Sequence, residues 1–265
     1  MRATLPPHCS SDWICAPESC YVRPAEPALT DRAIALAARL RCPVTVGRNV
    51  DRVGVLVQAH CLALELPGFA TPLIVAPGGV EIRRRAAAGR GLHLLRACGR
   101  QPTRLRIIDA TAGLGRDAFT LAWAGAAVLL IERDPLLALL LEDALSSLRV
   151  DQPQLAARLR LRSGDACQLL AREFDGQDVI YLDPMFAEPG SGLPQRDMQM
   201  LAQRHRDTDG DALLTVALAL APARIVVKRG RHQLPLLATA ARPHHEIVGK
   251  RVRFDVYQST AQRHV

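Results

Sequence analysis

Between Leu105 and Gly230 one rhythm repeats: a short apolar run, a turn, then a stretch of helical spacing. The apolar runs are LRIIDA, AVLLIER, ARLRLRSGDA, DVIYLDP and RIVVKRG, and helices are predicted over Asp117–Ala124, Pro135–Leu148 and Asp211–Leu220. Strands separated by helices do not pair as hairpins, because each helix returns the chain to the end where the strand began. Such strands lie parallel, in a mostly parallel sheet covered by helices on both faces. The rhythm breaks only at the end of the chain. There HHEIVGK and RVRFDVYQS stand too close together for a crossover, so the last two strands form an antiparallel hairpin on the sheet's edge.

Ahead of this segment the pattern is different. DRAIALAARL, Asp31 to Leu40, has helical spacing behind Thr30, a residue suited to an N-cap. VGVLVQ and HCLALELPG alternate apolar with other residues, notably at Leu62, Leu64 and Leu66, and read as strands. The first thirty or so residues, with prolines at 6, 7, 17, 24 and 27, read as loop. A basic segment, EIRRRAAAGRG, then leads into the repeating part, with a boundary between Arg83 and Gln101. The expected organisation is a small α+β region over residues 1–90 and one large α/β domain over 91–265, which suits a chain of 265 residues.

Composition narrows the partners. A hydrophobic share of 49% allows a full core and rules out wholesale disorder. The net charge of +8 favours a polyanionic partner, which a basic surface concentrates and steers. Lysine occurs only at Lys228 and Lys250; all other basic side chains of the lysine–arginine set are arginine. Guanidinium recognition of phosphate and bases explains that bias, and so does the codon usage of a GC-rich genome. The seven cysteines form no CxxC pair and no histidine spacing of the zinc kind, so reduced thiols and no metal are expected. The longest apolar run, Ala118 to Ile131, is too short to span a bilayer, and no signal-peptide core opens the chain, so a cytoplasmic protein with no membrane partner is expected. No interface pattern stands out, and a monomer is favoured.

The strand ends carry the chemistry. In IIDATAGLGRDAF a strand closes at Asp109, and Gly113 and Gly115 fall in a tight turn that opens a helix. Glycine there permits positive φ and close approach to bare backbone, while the helix N-terminus offers free N–H groups. A nucleotide-like cofactor fits such a turn. The next strand closes at Glu132, where a carboxylate can accept hydrogen bonds from both hydroxyls of a ribose. The third closes with SGDA, where Asp165 is placed to hold an adenine amino group. Three successive strands thus end in an acid on the carboxyl edge, where open α/β sheets bind ligands. A dehydrogenase would carry G-x-G-x-x-G. Here Asp109, Thr111, Gly113 and Gly115 alternate, which resembles the D-x-G-x-G-x-G loop of class I S-adenosylmethionine (SAM) methyltransferases, with Thr111 in place of the first glycine.

A fourth strand ends in Asp183, Pro184, Met185 and Phe186. This DPMF turn resembles the [NDS]-P-P-[YFW] motif of enzymes that methylate exocyclic or amide nitrogens. The residue types suit that task. An amino group on a base is a poor nucleophile because its lone pair is delocalised into the ring; acceptors must hold its hydrogens and turn the lone pair toward the methyl. The Asp183 carboxylate and the Pro184 carbonyl can serve. Proline also fixes the turn and removes a competing donor, and Phe186 can stack on the base for roughly 1–3 kcal/mol. Holding nitrogen and methyl in line is worth about 7–11 kcal/mol.

Taken together, DATAGLGRDAF, LIERDP, YLDPMF, VVKR and RFDVY resemble the RsmJ (YhiQ) family of bacterial methyltransferases over roughly Ile82 to Gln258. The resemblance implies a Rossmann-like, mostly parallel seven-stranded sheet with an antiparallel last strand. It implies SAM as cofactor and the exocyclic N2 of a guanine in 16S ribosomal RNA of the small subunit as substrate, at the family's site, guanine 1516. It further implies cofactor contact at Arg116, Asp117, Glu132, Arg133, Asp165, Ala166 and Asp183, the family's serine pair after the third strand being replaced here by Asp165 and Ala166. RRRAAAGRG resembles the family's basic segment, which makes Arg83, Arg84, Arg85 and Arg90 candidates for RNA contact; Lys228 and Arg229, at the end of the fifth strand, are candidates on position. Three other readings stay open: an amino methyltransferase acting on another RNA, on DNA or on a protein amide; an RNA-binding ribosome-assembly factor without catalysis; and, more remotely, a dehydrogenase. Trp123 reads as packing, and Cys167, without a neighbouring histidine, does not read as a nucleophile.

Overall fold

A computed structural model describes residues 20–99, 101–184, 210–237 and 239–258. Its first sheet holds β1 (Cys20–Pro24), β2 (Val53–Val57), β3 (Leu62–Glu65) and β4 (Leu73–Ile74), in that order. Helix α1 (Thr30–Leu40) carries the crossover from β1 to the parallel β2. The strand at Cys20–Pro24 lies inside the stretch expected to be loop. Five residues ending in proline show no readable alternation, and the ladder partner lies more than twenty-five residues downstream at Val53–Val57. Thr30 also differs from expectation. It sits in the first turn of α1 with its hydroxyl donating to the Pro27 carbonyl at 2.7 Å, and Leu29 occupies the cap position.

Helices α2 (Val80–Ala87) and α3 (His93–Cys98) lead into the larger sheet. It contains β5 (Arg106–Asp109), β6 (Ala127–Glu132), β7 (Leu159–Ser163), β8 (Val179–Leu182), β9 (Arg224–Gly230), β10 (His245–Val248) and β11 (Val252–Gln258). Between them run α4 (Arg116–Trp123), α5 (Pro135–Asp151), α6 (Pro153–Ala156), α7 (Ala166–Glu173) and α8 (Gly210–Ala219). The spatial order is β10-β11-β9-β8-β5-β6-β7. Strands β9, β8, β5, β6 and β7 are parallel, and β11 runs antiparallel between β9 and β10. This is the class I methyltransferase sheet, with the expected hairpin closing its edge.

The order explains where a ligand goes. From β5 the chain winds outward through β6 to β7, then returns to the other side of β5 as β8. The crossovers on the two sides of β5 leave the carboxyl edge in opposite directions and open a crevice there.

Strand alternation sorts the core into two layers. Ile107, Val179, Tyr181, Val226 and Phe254 face a cluster that holds Phe119 of α4 and the apolar stripe of α5. Ile108, Ile180, Leu182, Ile225 and Val227 face the other cluster, with Leu170 of α7 and Leu213 and Leu214 of α8. The first cluster extends without a break into the small sheet, through Val22, Val55 and Leu64. Polar ties reinforce that junction: Asp143 of α5 accepts from the Leu62 amide at 2.7 Å and from Arg32 at 2.8 Å. Helix α2 packs on α4, and α3 packs on β9, β10 and β11, so the basic segment lies against the large sheet rather than hanging between two bodies. Trp123 packs as expected, its indole N–H donating to the Pro77 carbonyl at 2.9 Å.

Candidate active site

The turn after β5 is built from its own backbone. Asp109 is buried and accepts from the Thr111 amide at 3.1 Å. Burial, with Asp117, Asp183 and Glu132 nearby, pushes its carboxyl well above the ordinary carboxylate range. Gly113 and Gly115 both have positive φ, 54° and 73°, but they do different things. A side chain on Gly113 would meet nothing within 4 Å, so this residue presents bare backbone to open space. A Cβ on Gly115 would stand 2.6 Å from the buried Phe119 ring, so this glycine lets α4 start against the core.

Glu132, at the end of β6, grips that turn. One carboxylate oxygen accepts from the Gly113 amide at 2.6 Å and the other from the Asp134 amide at 2.7 Å. Asp134 in turn caps α5 by accepting from the Leu136 and Leu137 amides, and Asp165 caps α7 through the Cys167 amide at 2.7 Å. The acids at the ends of β6 and β7 are therefore fixed by local backbone before any ligand arrives.

These residues line an open cleft of about 660 Å³, solvent at its mouth included. Its walls bring together Thr111, Gly113, Glu132, Arg133, Asp165, Ala166 and Asp183, the last from β8 on the far side of the switch in strand order. The donor set fits SAM: bare backbone at Gly113, a carboxylate at Glu132 for hydroxyls, an acid at Asp165 and a strand-end aspartate beside them. Four residues expected at the cofactor, Asp109, Gly115, Arg116 and Asp117, lie off the cleft lining.

Asp117 and Asp183 form a second cluster. Asp183 follows β8; its amide donates to the Thr111 hydroxyl at 2.6 Å, and its carboxylate accepts from the Lys228 ammonium at 2.6 Å. The same ammonium reaches Asp117 at 3.0 Å. Asp117 also accepts from Arg85 at 2.5 Å and from the Tyr181 hydroxyl at 2.6 Å. Register explains the meeting: Leu182 pairs with Val227, so Asp183 and Lys228 are neighbours on one face, two residues beyond Tyr181 and Val226. Against the upward push of burial, Lys228 and Arg85 draw Asp117 well below the ordinary range. Burial raises Asp183, with Lys228 opposing the rise.

The cluster revises three sequence expectations. Lys228 and Arg85, expected at RNA, are partly buried and spend their charge on Asp117 and Asp183. Arg229 points to the opposite face, where it is buried and donates to the Leu234 carbonyl at 2.9 and 3.1 Å. Successive residues of a strand face opposite ways, so Lys228 and Arg229 do not share a surface. Arg83, Arg84 and Arg90 are exposed, Arg84 pairing with Glu81 at 2.8 Å. Pro184 follows Asp183 directly, and Met185 and Phe186 lie outside the described residues. Sequence reasoning noted Thr111 only as a replacement in the loop, and missed its hold on the Asp183 amide and the part of Tyr181. A threonine at a glycine position of the loop and a tyrosine two before the strand-end aspartate were the available signals.

Comparison with known proteins agrees with this fold. The SAM-dependent methyltransferase family model matches residues 49–259. Ribosomal RNA small subunit methyltransferase J of Pseudomonas paraeruginosa is 43% identical over 241 residues, 85% of this chain and 89% of that protein. The protein of the same name from Alkalilimnicola ehrlichii is 40% identical over 252 residues, covering 90% and 94%. The crystal structure of a SAM-dependent methyltransferase from Neisseria gonorrhoeae superposes with a TM-score of 0.67 at 26% identity, covering 91% of this chain and 96% of that one. With a family match over most of its length and relatives of this identity, the chain belongs to the ribosomal RNA small subunit methyltransferase J family of SAM-dependent methyltransferases.

Proposed function

We propose that this protein methylates the exocyclic N2 amino group of a guanine in 16S ribosomal RNA of the small subunit, working in the cytoplasm with SAM. The observation that carries the reading is the Asp183–Pro184 turn, which stands at the end of β8 on the wall of the cofactor cleft. Bound SAM supplies an electrophilic methyl on a sulfonium. The protein's part is to bind and aim. Gly113, Glu132, Arg133, Asp165 and Ala166 hold the cofactor. The Asp183 carboxylate and the Pro184 carbonyl accept hydrogen bonds from the two amino N–H groups, so the nitrogen lone pair turns out of conjugation with the ring and points into the cleft. Phe186 stacks on the guanine. Closing the base over the cleft excludes water.

The RNA docks on the carboxyl edge. Arg83, Arg84 and Arg90 are exposed in and after α2, and Arg231, Lys250 and Arg251 are exposed where β9 ends beside the β10–β11 turn. The two groups approach each other at His93 and Gly249, where a Cβ on the glycine would stand 2.8 Å from the imidazole. Such a rim suits phosphates from more than one stretch of a folded RNA.

The test is methyl transfer from labelled SAM to small subunits that lack the modification, with wild type and Asp183→Ala, the label being placed by mass spectrometry. Label on guanine N2 with wild type alone supports cofactor, substrate and turn together. Label on naked RNA, DNA or protein but never on the subunit would replace the substrate assignment. SAM binding without transfer to any of them would favour a non-catalytic assembly factor.

A further inference from the structure

The chain uses lysine at two positions, against 34 lysines and arginines in all. One of the two is Lys228, whose ammonium lies between carboxylates of two different elements, 2.6 Å from Asp183 and 3.0 Å from Asp117. A compact ammonium with three donors suits that gap, whereas a planar guanidinium presents its donors as a wide fork. Asp117 does not stand alone: Arg85 on α2 and Tyr181 on β8 complete its shell at 2.5 and 2.6 Å. A chain of contacts thus runs from a helix outside the large sheet, through Arg85, Asp117 and Lys228, to the aspartate that opens the DPMF turn. The Asp183 backbone is held separately, by Thr111.

We propose that Lys228 is a positioning residue for Asp183: its ammonium holds the carboxylate charged and oriented to accept the amino hydrogens, and Arg85 steadies it through Asp117. The inference rests on the reading of Asp183 as the amino-group acceptor. The physical need is clear. A partly buried carboxylate beside the acids Asp117 and Asp109 tends toward its neutral form, and a protonated carboxyl offers a hydrogen where the amino group needs an acceptor. Lys228 offsets that tendency, while burial and Asp117 act the other way. The groups facing the cluster are Asp109 on β5, Asp117 on α4, Glu132 on β6, Tyr181 on β8, Lys228 on β9 and Arg85 on α2. An amino group that loses its hydrogens' acceptors loses alignment, so the effect falls on turnover and leaves SAM binding alone.

Carboxyl-carbon NMR titration of the full-length protein labelled at aspartate tests this, with Asp183 assigned by the resonance lost in Asp183→Asn. Lys228→Met is expected to move the Asp183 midpoint up by roughly 1–3 pH units, Lys228→Arg, which keeps the charge, to move it less, and Arg85→Met to raise it by less than Lys228→Met. In methyl transfer, the acidic limb of kcat for Lys228→Met moves to higher pH in step, with the Kd for SAM unchanged. An Asp183 midpoint that stays put in folded Lys228→Met overturns the proposal, as does a rise in KM for RNA with kcat and its pH limb unaltered. Should Lys228→Met fail to fold, Arg85→Met carries the test, an unmoved Asp183 midpoint again overturning the proposal. Full turnover in Asp183→Ala, which removes the acceptor, would instead sink the acceptor reading and leave the titration result standing, so the two failures are distinguishable.

Discussion

On the β5–β6–β7 side of the carboxyl edge, carboxylates are seated in amides close by in the chain: Glu132 on Gly113 and Asp134, Asp165 on Cys167. On the β8–β9 side the seats are charged side chains from far away, with Lys228 reaching Asp183 across 45 residues and Asp117 across 111, and Arg85 reaching Asp117 across 32. On the proposed function, the difference follows the task of each side. A ribose and an adenine need acceptors in a fixed frame, which a loop and a helix cap supply unaided. A base brought in by a large polyanion needs an acceptor that stays ionised when water is excluded. Thr111 joins the two sides, lining the cofactor cleft and accepting the Asp183 amide.

Substitutions can break this contrast, beginning with the largest expected loss. Asp183→Ala removes the acceptor itself, and kcat should fall on the order of 10²–10³-fold, as when one preorganised polar group is lost from a reacting centre. An intact circular dichroism spectrum should accompany that loss, with SAM affinity by calorimetry falling far less than kcat; near-native turnover would falsify the acceptor role. Glu132→Ala belongs to the other side. Losing a carboxylate's hydrogen bonds costs about 1.5–3 kcal/mol, so SAM affinity should weaken roughly 10–150-fold, while kcat at saturating SAM changes little. If calorimetry found SAM affinity intact and only kcat reduced, the division of labour would be wrong.

Thr111→Val tests the joint between the sides. It keeps the shape and leaves the Asp183 amide without its acceptor, at a cost of about 1–3 kcal/mol, so the melting temperature and kcat should both drop modestly. An unchanged kcat would mean that the Asp183 turn holds its place without Thr111. The smallest effect concerns the rim. Replacing Arg83 or Arg90 by alanine should lower the slope of log affinity for RNA against log salt by about one per residue, with SAM affinity untouched. A slope that does not move would take that arginine off the docking face.

The legibility of the site follows the same division. Gly113, Glu132 and Asp165 could be placed at the cleft from spacing because local backbone sets their positions: a positive-φ turn, a strand end, a helix cap. Asp117 showed the limit. Its position one step inside α4 suggested the cofactor loop, yet its side chain turns inward to Arg85, Tyr181 and Lys228. Arg85 likewise sat in a run of three arginines that reads as one basic face. A helix points Arg83 and Arg84 to solvent and Arg85 to the sheet, and the residue it meets lies 32 positions on.

The sequence by itself determined the α/β alternation, the parallel sheet with its antiparallel edge, and the strand-end acids, because strand period, helix period and turn chemistry act over a few residues. It also carried the motifs that mark a SAM-dependent methyltransferase. Only the tertiary structure decided that the strand at Cys20–Pro24 exists, that Arg229 turns away from Lys228, and that Lys228 stands between Asp117 and Asp183. Those outcomes depend on which strands become neighbours and in what register, and that choice is made by burial of the whole core rather than by any short stretch of chain.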